Sequence, residues 1–395
     1  MNRSLLVLGG GYYQLPLIHA AHRRDLSVML LDGSEAAPGF RHADAGEVVD
    51  ISDIGAVTAV ARRLRPAGIA SIACEACVRS AAVAARELGL PGIDIEVARV
   101  CTDKVLMRRR LSEAGLPCPP YYEVRDITDA ARAAKAIGFP LVMKPADNSG
   151  SRGVGHVTTL AQLEEATRVA LSHSREGRAI AERFLDGVEC TVETYTVEGA
   201  TRILAISDKV RMPSPFCVAA SINYPGFFDA PTMERIGEAA KRAIAAVGLV
   251  NGPGHLELIV TSSGPVVVDL AARGGGFRIF SDVVPTVSGV DGVEAVLDFA
   301  LGAMPRVTPA PGRAAVIRFF DPPRTGTLHA VEGVDAARAA EHVYDVVIEA
   351  EIGRHYGGIT RDGDRPGYLI TVADTRAAAV AAADRAEEMV RWEIA

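Results

Sequence analysis

The feature that most constrains the fold is the regular alternation of strand and helix patterns over residues 1–95. Short apolar runs and amphipathic segments follow one another, separated by turn residues. We predict strands at 4–8, 28–32, 48–50 and 68–73, and helices at 15–24, 54–64 and 77–88. Such alternation is typical of a parallel sheet covered by helices on both faces, so the fold class is α/β.

A triple glycine, Gly9–Gly10–Gly11, follows the first predicted strand and precedes the first predicted helix. Backbone N–H groups at such a turn can hold a phosphate. The dinucleotide-binding fingerprint is incomplete, because Gln14 stands where a third glycine would be, although Asp32 ends the second strand as a ribose-binding acid would. We therefore expect this unit to shape a substrate site, with dinucleotide binding as the open alternative.

The remainder of the chain has a different pattern. A charged helix is predicted over 97–114 and an Ala-rich helix over 375–394. Alternating apolar positions predict antiparallel strands, with two interleaved helices, at 139–144, 155–158, 179–184, 190–197, 202–207, 254–260 and 265–271. We expect four units, at 1–95, 96–190, 191–312 and 313–395.

Composition excludes several classes of protein. The formal net charge of −7 argues against a nucleic-acid partner, and no apolar run approaches the roughly 20 residues that span a bilayer, so no membrane partner is expected. Of the 6 cysteines, only Cys74 and Cys77 have C-x-x-C spacing, without a second pair that would suggest zinc. We expect reduced thiols in a cytoplasmic protein.

A phosphate-binding loop is predicted after the strand that ends in Lys144. The loop Asn148–Gly155 contains Ser149, Gly150, Ser151 and Gly153. Flexible Gly/Ser backbone can bring N–H groups onto phosphate oxygens while a lysine offsets their charge. Lys104 is a second candidate lysine; an ordinary surface charge is the alternative for either one.

Further downstream, a strand around Glu182 ends in a short connector before Glu189. Free backbone groups there could pair with an adenine edge, and Glu189 could accept hydrogen bonds from ribose, although an ordinary hairpin is an alternative. Glu257 and Asp269 then interrupt two neighbouring apolar strands. Buried carboxylates require a cation, which is either Mg²⁺ or the nearby Arg273.

In this order and at these spacings, the motifs resemble the ATP-grasp superfamily, in its carbamoyl-phosphate-synthetase-like and amino-acid ligase branch. The resemblance covers nearly the whole chain, with a Rossmann-like preATP-grasp domain at the N-terminus. It implies the following roles: Lys104, Lys144 and the loop residues bind ATP phosphates; Glu182, Phe184 and Leu185 hold adenine; Glu189 holds ribose; Glu257 and Asp269 hold Mg²⁺; and Arg273 is catalytic.

The chain departs from the family pattern at two places. Ala271 stands where a metal-binding Asn is usual, and Asp269 replaces a Glu, which puts a second Mg²⁺ in doubt. The segment 219–225 lacks the acid and the histidine that dipeptide-forming relatives carry. By the same resemblance, Glu75, Gly275 and Arg278 would contact substrate.

The resemblance therefore implies a carboxylate–amine ligase that uses ATP and Mg²⁺ and forms an acyl phosphate. Its partners are then a small-molecule carboxylate and an amine, with a homodimer left open. The alternatives are a carboxyphosphate-forming enzyme of purine synthesis and a nucleotide-binding module without catalysis.

Overall fold

The computed structural model describes residues 3–212, 218–322 and 324–395. Cys217, one of the six cysteines, lies outside these ranges. No helix in the described part of the chain has the length and apolar character that crossing a bilayer requires.

The N-terminal unit is built on four parallel strands in the order β3-β2-β1-β4. Its elements are β1 (Ser4–Leu8), α1 (Leu15–Arg23), β2 (Ser27–Asp32), β3 (Ala45–Val48), α2 (Ile54–Leu64), β4 (Gly68–Ala70) and α3 (Val78–Leu88). Leu5 and Val7 of β1 face one apolar core, whereas Leu6 and Leu8 face another, which contains residues of α2 and α3. The sheet is thus buried on both faces, and the predicted α/β class is confirmed.

The charged segment that follows forms two helices, so the single predicted helix over 97–114 is wrong. These are α4 (Ile95–Cys101) and α5 (Lys104–Glu113). The Asp103 carboxylate accepts hydrogen bonds from the backbone N–H groups of Val105 and Leu106, at 2.9 and 3.0 Å, and so caps a new helix. Lys104 consequently occupies the first turn of α5.

A small antiparallel sheet comes next, in the order β5-β8-β6-β7. Its elements are β5 (Tyr121–Val124), α6 (Ile127–Ile137), β6 (Leu141–Pro145), β7 (Gly155–Val157), α7 (Leu160–Ser172) and β8 (Ala179–Arg183). Helices α6 and α7 pack on one face of the sheet around Leu141, Met143 and Ala181. The segment 146–154 connects β6 to β7 and leaves the sheet at Lys144–Pro145.

A large antiparallel sheet carries the rest of the chain, in the order β14-β13-β9-β11-β12-β15-β19-β17, with β10 paired to β9. Its strands are β9 (Val188–Val197), β10 (Ala200–Ile206), β11 (Asp208–Arg211), β12 (Ala219–Tyr224), β13 (Gly252–Thr261), β14 (Gly264–Ala271), β15 (Ala314–Phe319), β17 (Val343–Ile348) and β19 (Gly367–Ala373). The proposed division at residue 313 therefore falls within one continuous sheet.

Helices cover this sheet, and a small second sheet, in the order β18-β16-β20, completes the C-terminal region. The remaining elements are α8 (Ala230–Val247), α9 (Val284–Ser288), α10 (Gly292–Ala300), β16 (Gly326–Glu332), α11 (Val334–Arg338), β18 (His355–Tyr356), α12 (Arg376–Met389) and β20 (Arg391–Ile394). The predicted helix over 375–394 is thus too long, because its last residues form a strand. There Trp392 packs against Phe320, with ring centroids 5.5 Å apart.

Candidate active site

A cavity of about 370 Å³ lies where the N-terminal unit, the small sheet and the large sheet meet. All of the predicted site residues except Gly153, Gly275 and Arg278 line it: Glu75, Lys104, Lys144, Ser149, Gly150, Ser151, Glu182, Phe184, Leu185, Glu189, Glu257, Asp269 and Arg273. Residues separated by up to 198 positions in sequence thus share one site.

The three other residues have different surroundings. Gly153 has a left-handed φ of +75°, and a Cβ there would lie 2.8 Å from the His173 side chain. The Gly275 backbone N–H donates to the Glu193 carboxylate at 3.1 Å. The Arg278 guanidinium pairs with Asp282 at 2.7 Å and with Asp345 at 2.5 Å, so its charge is already compensated outside the cavity lining.

The two predicted phosphate lysines converge from different elements. Lys104 Nζ lies 3.1 Å from Asp269 Oδ2 and donates to the backbone oxygen of Asn148, in the loop after β6, at 2.9 Å. Lys144 Nζ lies 2.6 Å from Glu182 Oε2. Burial by itself would lower the pKa of Lys104, but Asp269 and Glu75 outweigh it and raise that pKa, so the side chain is a permanent cation.

Glu182 is held by a second cation that the sequence analysis missed. Arg108 of α5 is fully buried, and its Nε lies 2.5 Å from Glu182 Oε1. Burial opposes ionisation of Glu182, but Arg108 and Lys144 together lower its pKa. Both carboxylate oxygens are engaged in these pairs. The side chain of Glu182 therefore positions Lys144 in the cavity.

The connector after β8 leaves backbone groups for a ligand. The Phe184 N–H donates to the Pro140 oxygen at 3.1 Å, whereas the backbone of Leu185 bonds to no described residue. The Phe184 ring lies 4.3 Å from the His156 ring and 5.7 Å from the Arg211 guanidinium. An adenine edge would thus meet free donors and acceptors at Leu185.

Glu257 and Asp269 face each other across the β13–β14 ladder. Lys209 of β11 lies 3.0 Å from Glu257, and its charge lowers the pKa of that carboxyl against the effect of burial. Burial would raise the pKa of Asp269, but Lys104 and Lys144 outweigh it and lower that pKa. Both groups are carboxylates at neutral pH and both border the cavity.

This donor set fits Mg²⁺, which is commonly bound through one or two carboxylates together with substrate phosphates and water. Glu257 and Asp269 supply such a pair. No cluster of three or more His, Cys, Asp or Glu residues with metal-binding geometry occurs among residues 3–212, 218–322 and 324–395. Ala271, on the same face of β14 as Asp269, adds no ligand atom.

Glu189 lies at the start of β9, next to β11. Lys209 Nζ lies 2.5 Å from one of its carboxylate oxygens and Arg211 Nε 3.0 Å from the other. Lys209 and Arg211 were not predicted, although their period-two spacing on a short strand places both on one face and could have revealed them. Lys209 bridges Glu189 and Glu257, which joins the predicted ribose end to the predicted metal end.

Arg273 follows β14 and enters the cavity next to the N-terminal unit. Its Nε lies 2.9 Å from Glu75 Oε2, and one terminal nitrogen donates to the Gly274 oxygen at 3.0 Å. Burial would lower the pKa of the Arg273 guanidinium, but Glu75 and other carboxylates raise it. Arg273 therefore pairs with Glu75, whereas Asp269 and Glu257 pair with Lys104 and Lys209.

A second unpredicted pair is formed by His255 and Glu193. Glu193 of β9 is fully buried, and its carboxylate is hydrogen-bonded to Nδ1 of His255, which lines the cavity two residues before Glu257. The partners are 62 residues apart in sequence. Sequence spacing contains no signal for such a pairing.

Comparison with known proteins agrees with the geometry of the site. Residues 137–281 match the family model of the ATP-grasp domain, and residues 318–395 match that of the L-amino acid ligase C-terminal domain 2. An uncharacterized protein, y4rH of Sinorhizobium fredii, is 30% identical over 390 residues, which cover 95% of this chain and 80% of that protein.

Functionally named relatives match over shorter segments. An L-arginine-specific L-amino acid ligase of Bacillus subtilis is 27% identical over 249 residues, 61% of this chain and 59% of that protein. A formate-dependent phosphoribosylglycinamide formyltransferase of Saccharolobus solfataricus is 32% identical over 200 residues, 49% of this chain and 50% of that protein. The alignments thus span little more than half of these two relatives.

Among solved structures, an L-amino acid ligase of Bacillus licheniformis superposes with a TM-score of 0.87 at 22% identity, covering 100% of this chain and 99% of that one. The fold and the cavity define an ATP-grasp enzyme. Within that superfamily, the chain carries the L-amino acid ligase C-terminal domain 2 after its ATP-grasp domain. The resemblance stated from the sequence is confirmed.

Proposed function

We propose that this enzyme joins the carboxylate of one amino acid or similar small acid to the amine of another molecule. The observation that supports this most directly is the arrangement of charge around the cavity. Lys104 pairs with Asp269, Lys209 with Glu257, and Arg273 with Glu75, so cations alternate with carboxylates along its wall. Each ion pair presents groups suited to phosphate or to a metal ion.

ATP would occupy the end of the cavity formed by the small sheet. Leu185 offers backbone groups to adenine, and Glu189 offers a carboxylate to ribose. Lys104, Lys144 and the loop with Ser149, Gly150 and Ser151 would contact the phosphates. Glu257 and Asp269 would hold Mg²⁺, which neutralises phosphate charge when bound.

The reaction would then proceed in two steps. The substrate carboxylate attacks the γ-phosphorus of ATP, the bond to the bridging oxygen breaks, and ADP leaves. The amine nitrogen next attacks the acyl carbon, phosphate leaves, and a proton is released. Arg273 lies one short connection beyond Asp269, where its charge would stabilise the phosphoryl group in both steps.

The test is to mix the protein with ATP, Mg²⁺ and pairs of small carboxylates and amines, including all amino acids, and to identify the nucleotide product by chromatography. We expect ADP and phosphate, together with an amide. Hydroxylamine should trap the acyl phosphate as a hydroxamate when the amine is omitted. AMP as the main product, or no turnover with any pair, would contradict the proposal.

A second candidate is a carboxyphosphate- or formyl-phosphate-forming activity related to purine synthesis, favoured by the 32% identity with the formyltransferase. Formate and bicarbonate therefore belong in the panel. Turnover that requires either of them, and a phosphoribosyl amine, would favour this candidate. The aromatic lining contributed by Tyr13, Phe277 and Phe319 supports an amino acid instead.

A further inference from the structure

A buried arginine from the C-terminal region lines the same cavity. Arg365 follows the short turn at Asp362–Asp364 and is only 5% exposed. Its guanidinium carbon lies 3.7 Å from the ring centroid of Phe319 and 5.1 Å from that of Phe277. Both rings line the same cavity, so the cation lies against an aromatic wall.

The hydrogen bonds of Arg365 are incomplete. One terminal nitrogen lies 3.0 Å from Asp362 and the other donates to the Ala219 oxygen at 2.9 Å. Nε is buried and has no hydrogen-bond partner among the described residues. A guanidinium carries five N–H donors, and an unsatisfied buried donor is unfavourable. A ligand carboxylate is the group that matches such a planar cation best.

The neighbours of Arg365 place it beside β12 and near the phosphate loop. Ala219, whose backbone oxygen accepts a hydrogen bond from Arg365, begins β12. Asp362, at the other end of the turn, faces the phosphate loop, since a Cβ built on Gly150 would lie 3.9 Å from its Oδ2. Asp362 therefore lies between the loop and Arg365, whose guanidinium packs against the aromatic wall.

We propose that Arg365 is a specificity residue that binds a free carboxylate on the amine substrate. This inference rests on the ligase function proposed above, in which Arg273 serves the carboxylate that becomes activated. The second carboxylate, which does not react, needs its own cation, and the aromatic wall beside Arg365 would accommodate the side chain of the same molecule. An amine substrate that lacks a carboxylate, such as an amino-acid amide, would leave the guanidinium without this partner.

The test compares an amino acid with its own carboxamide as the amine substrate, in the wild type, Arg365→Gln and Arg365→Lys. For Arg365→Gln we expect kcat/KM for the amino acid to fall about 10- to 100-fold, through a higher KM, because one charge-assisted contact is lost. The value for the carboxamide should change less than about threefold, and Arg365→Lys should recover part of the preference.

Two further measurements separate this inference from a structural role and from failure of the ligase proposal. Arg361→Gln is the matched control, since Arg361 belongs to the same turn but is exposed and pairs with Asp364 at 3.0 Å. Hydroxamate formation should be unchanged in Arg365→Gln. Equal losses with the amino acid and the carboxamide, or no loss with either, would overturn the inference. If the wild type turns over no pair, the ligase proposal fails, and calorimetric binding of the same two ligands still tests Arg365.

Discussion

Arg273 and Glu75 form an ion pair 2.9 Å long that joins the large sheet to the N-terminal unit across 198 residues of sequence. Both side chains line the cavity, and Glu75 fixes the direction of the guanidinium that we assign to the phosphoryl group. Through Glu75, the N-terminal unit thus contacts the arginine that we propose for the reacting centre.

We predict that Glu75→Gln lowers kcat by about 10- to 100-fold while ATP affinity changes less than about threefold, because a charged pair is replaced by a neutral one. Steady-state rates and an ATP titration measure the two effects. Glu87→Gln is the control, since it breaks an exposed pair with Arg62 in the same unit. A higher KM for the amine at unchanged kcat would instead assign Glu75 to substrate binding.

Lys144→Met should weaken ATP binding by about 1.5–3 kcal/mol, because one charged phosphate contact is lost. Glu182 keeps its contact with Arg108 in this variant, so the small sheet should remain folded. Lys135→Met removes the same charge from an exposed position on α6 and should leave ATP affinity unchanged. Calorimetry with a nonhydrolysable ATP analogue measures the affinity of both variants. If Lys144→Met and Lys135→Met bound the analogue equally well, Lys144 would not belong to the ATP site.

Much of this fold could be predicted because its signals are local. Helix α2 was predicted with its observed ends, and the strand predicted to end at Lys144 ends one residue later, at Pro145. The break between α4 and α5 was missed because an aspartate such as Asp103 can either cap a helix or lie on its surface. A continuous run of charged residues in the sequence does not distinguish a capping aspartate from a surface aspartate.

The site was predictable to the extent that its residues interrupt apolar strands, as Glu257 and Asp269 do. Partners that meet only in three dimensions were not predictable. Arg108 pairs with Glu182 over 74 positions, and Arg278 pairs with Asp345 over 67. The second pairing neutralises a side chain that the sequence analysis had expected in the substrate site.

The phosphate loop yields a backbone prediction. Gly153 adopts φ +75°, and a Cβ there would lie within 3.0 Å of atoms of His173 and Pro145. Gly153→Ala should therefore displace the loop and weaken ATP binding at least tenfold. Gly177→Ala is a matched control, because Gly177 has φ +66° with nothing within 4 Å of the added carbon. The control bears only the conformational strain of about 1–2 kcal/mol. Equal ATP affinities in the two variants would contradict the loop assignment.

Thiol reactivity gives a pH-dependent prediction near Glu75. A hydrogen bond from the Cys77 side chain, opposed by burial, lowers the pKa of Cys74 to about 7, whereas burial raises the pKa of Cys118. Only the thiolate is alkylated, so the iodoacetamide rate at Cys74 should rise through pH 7 and then level off. The rate at Cys118 should still be rising at pH 9. Peptide mass spectrometry after timed alkylation measures the rates at both cysteines. If the two rates depended on pH in the same way, the pKa of Cys74 would not be lowered.

The last prediction concerns the proposed metal site, where the Ala271 side chain offers no oxygen ligand. Ala271 lies on the same face of β14 as Asp269, borders the cavity and faces His255 across the ladder. An asparagine side chain there could reach toward the ion that we propose Glu257 and Asp269 hold. Ala271→Asn should therefore lower the Mg²⁺ concentration needed for half-maximal ADP formation, whereas Asp269→Asn should raise it about tenfold or more.

Direct binding keeps this prediction independent of turnover. Mn²⁺ can replace Mg²⁺ as a paramagnetic probe, titrated in the presence of a nonhydrolysable ATP analogue and followed by the signal of free Mn²⁺. Tighter binding in Ala271→Asn and weaker binding in Asp269→Asn are expected. Ala200→Asn is the control, because Ala200 is exposed on β10 and does not line the cavity. If Ala271→Asn and Ala200→Asn changed Mn²⁺ affinity equally, the carboxylate pair would not be the metal site.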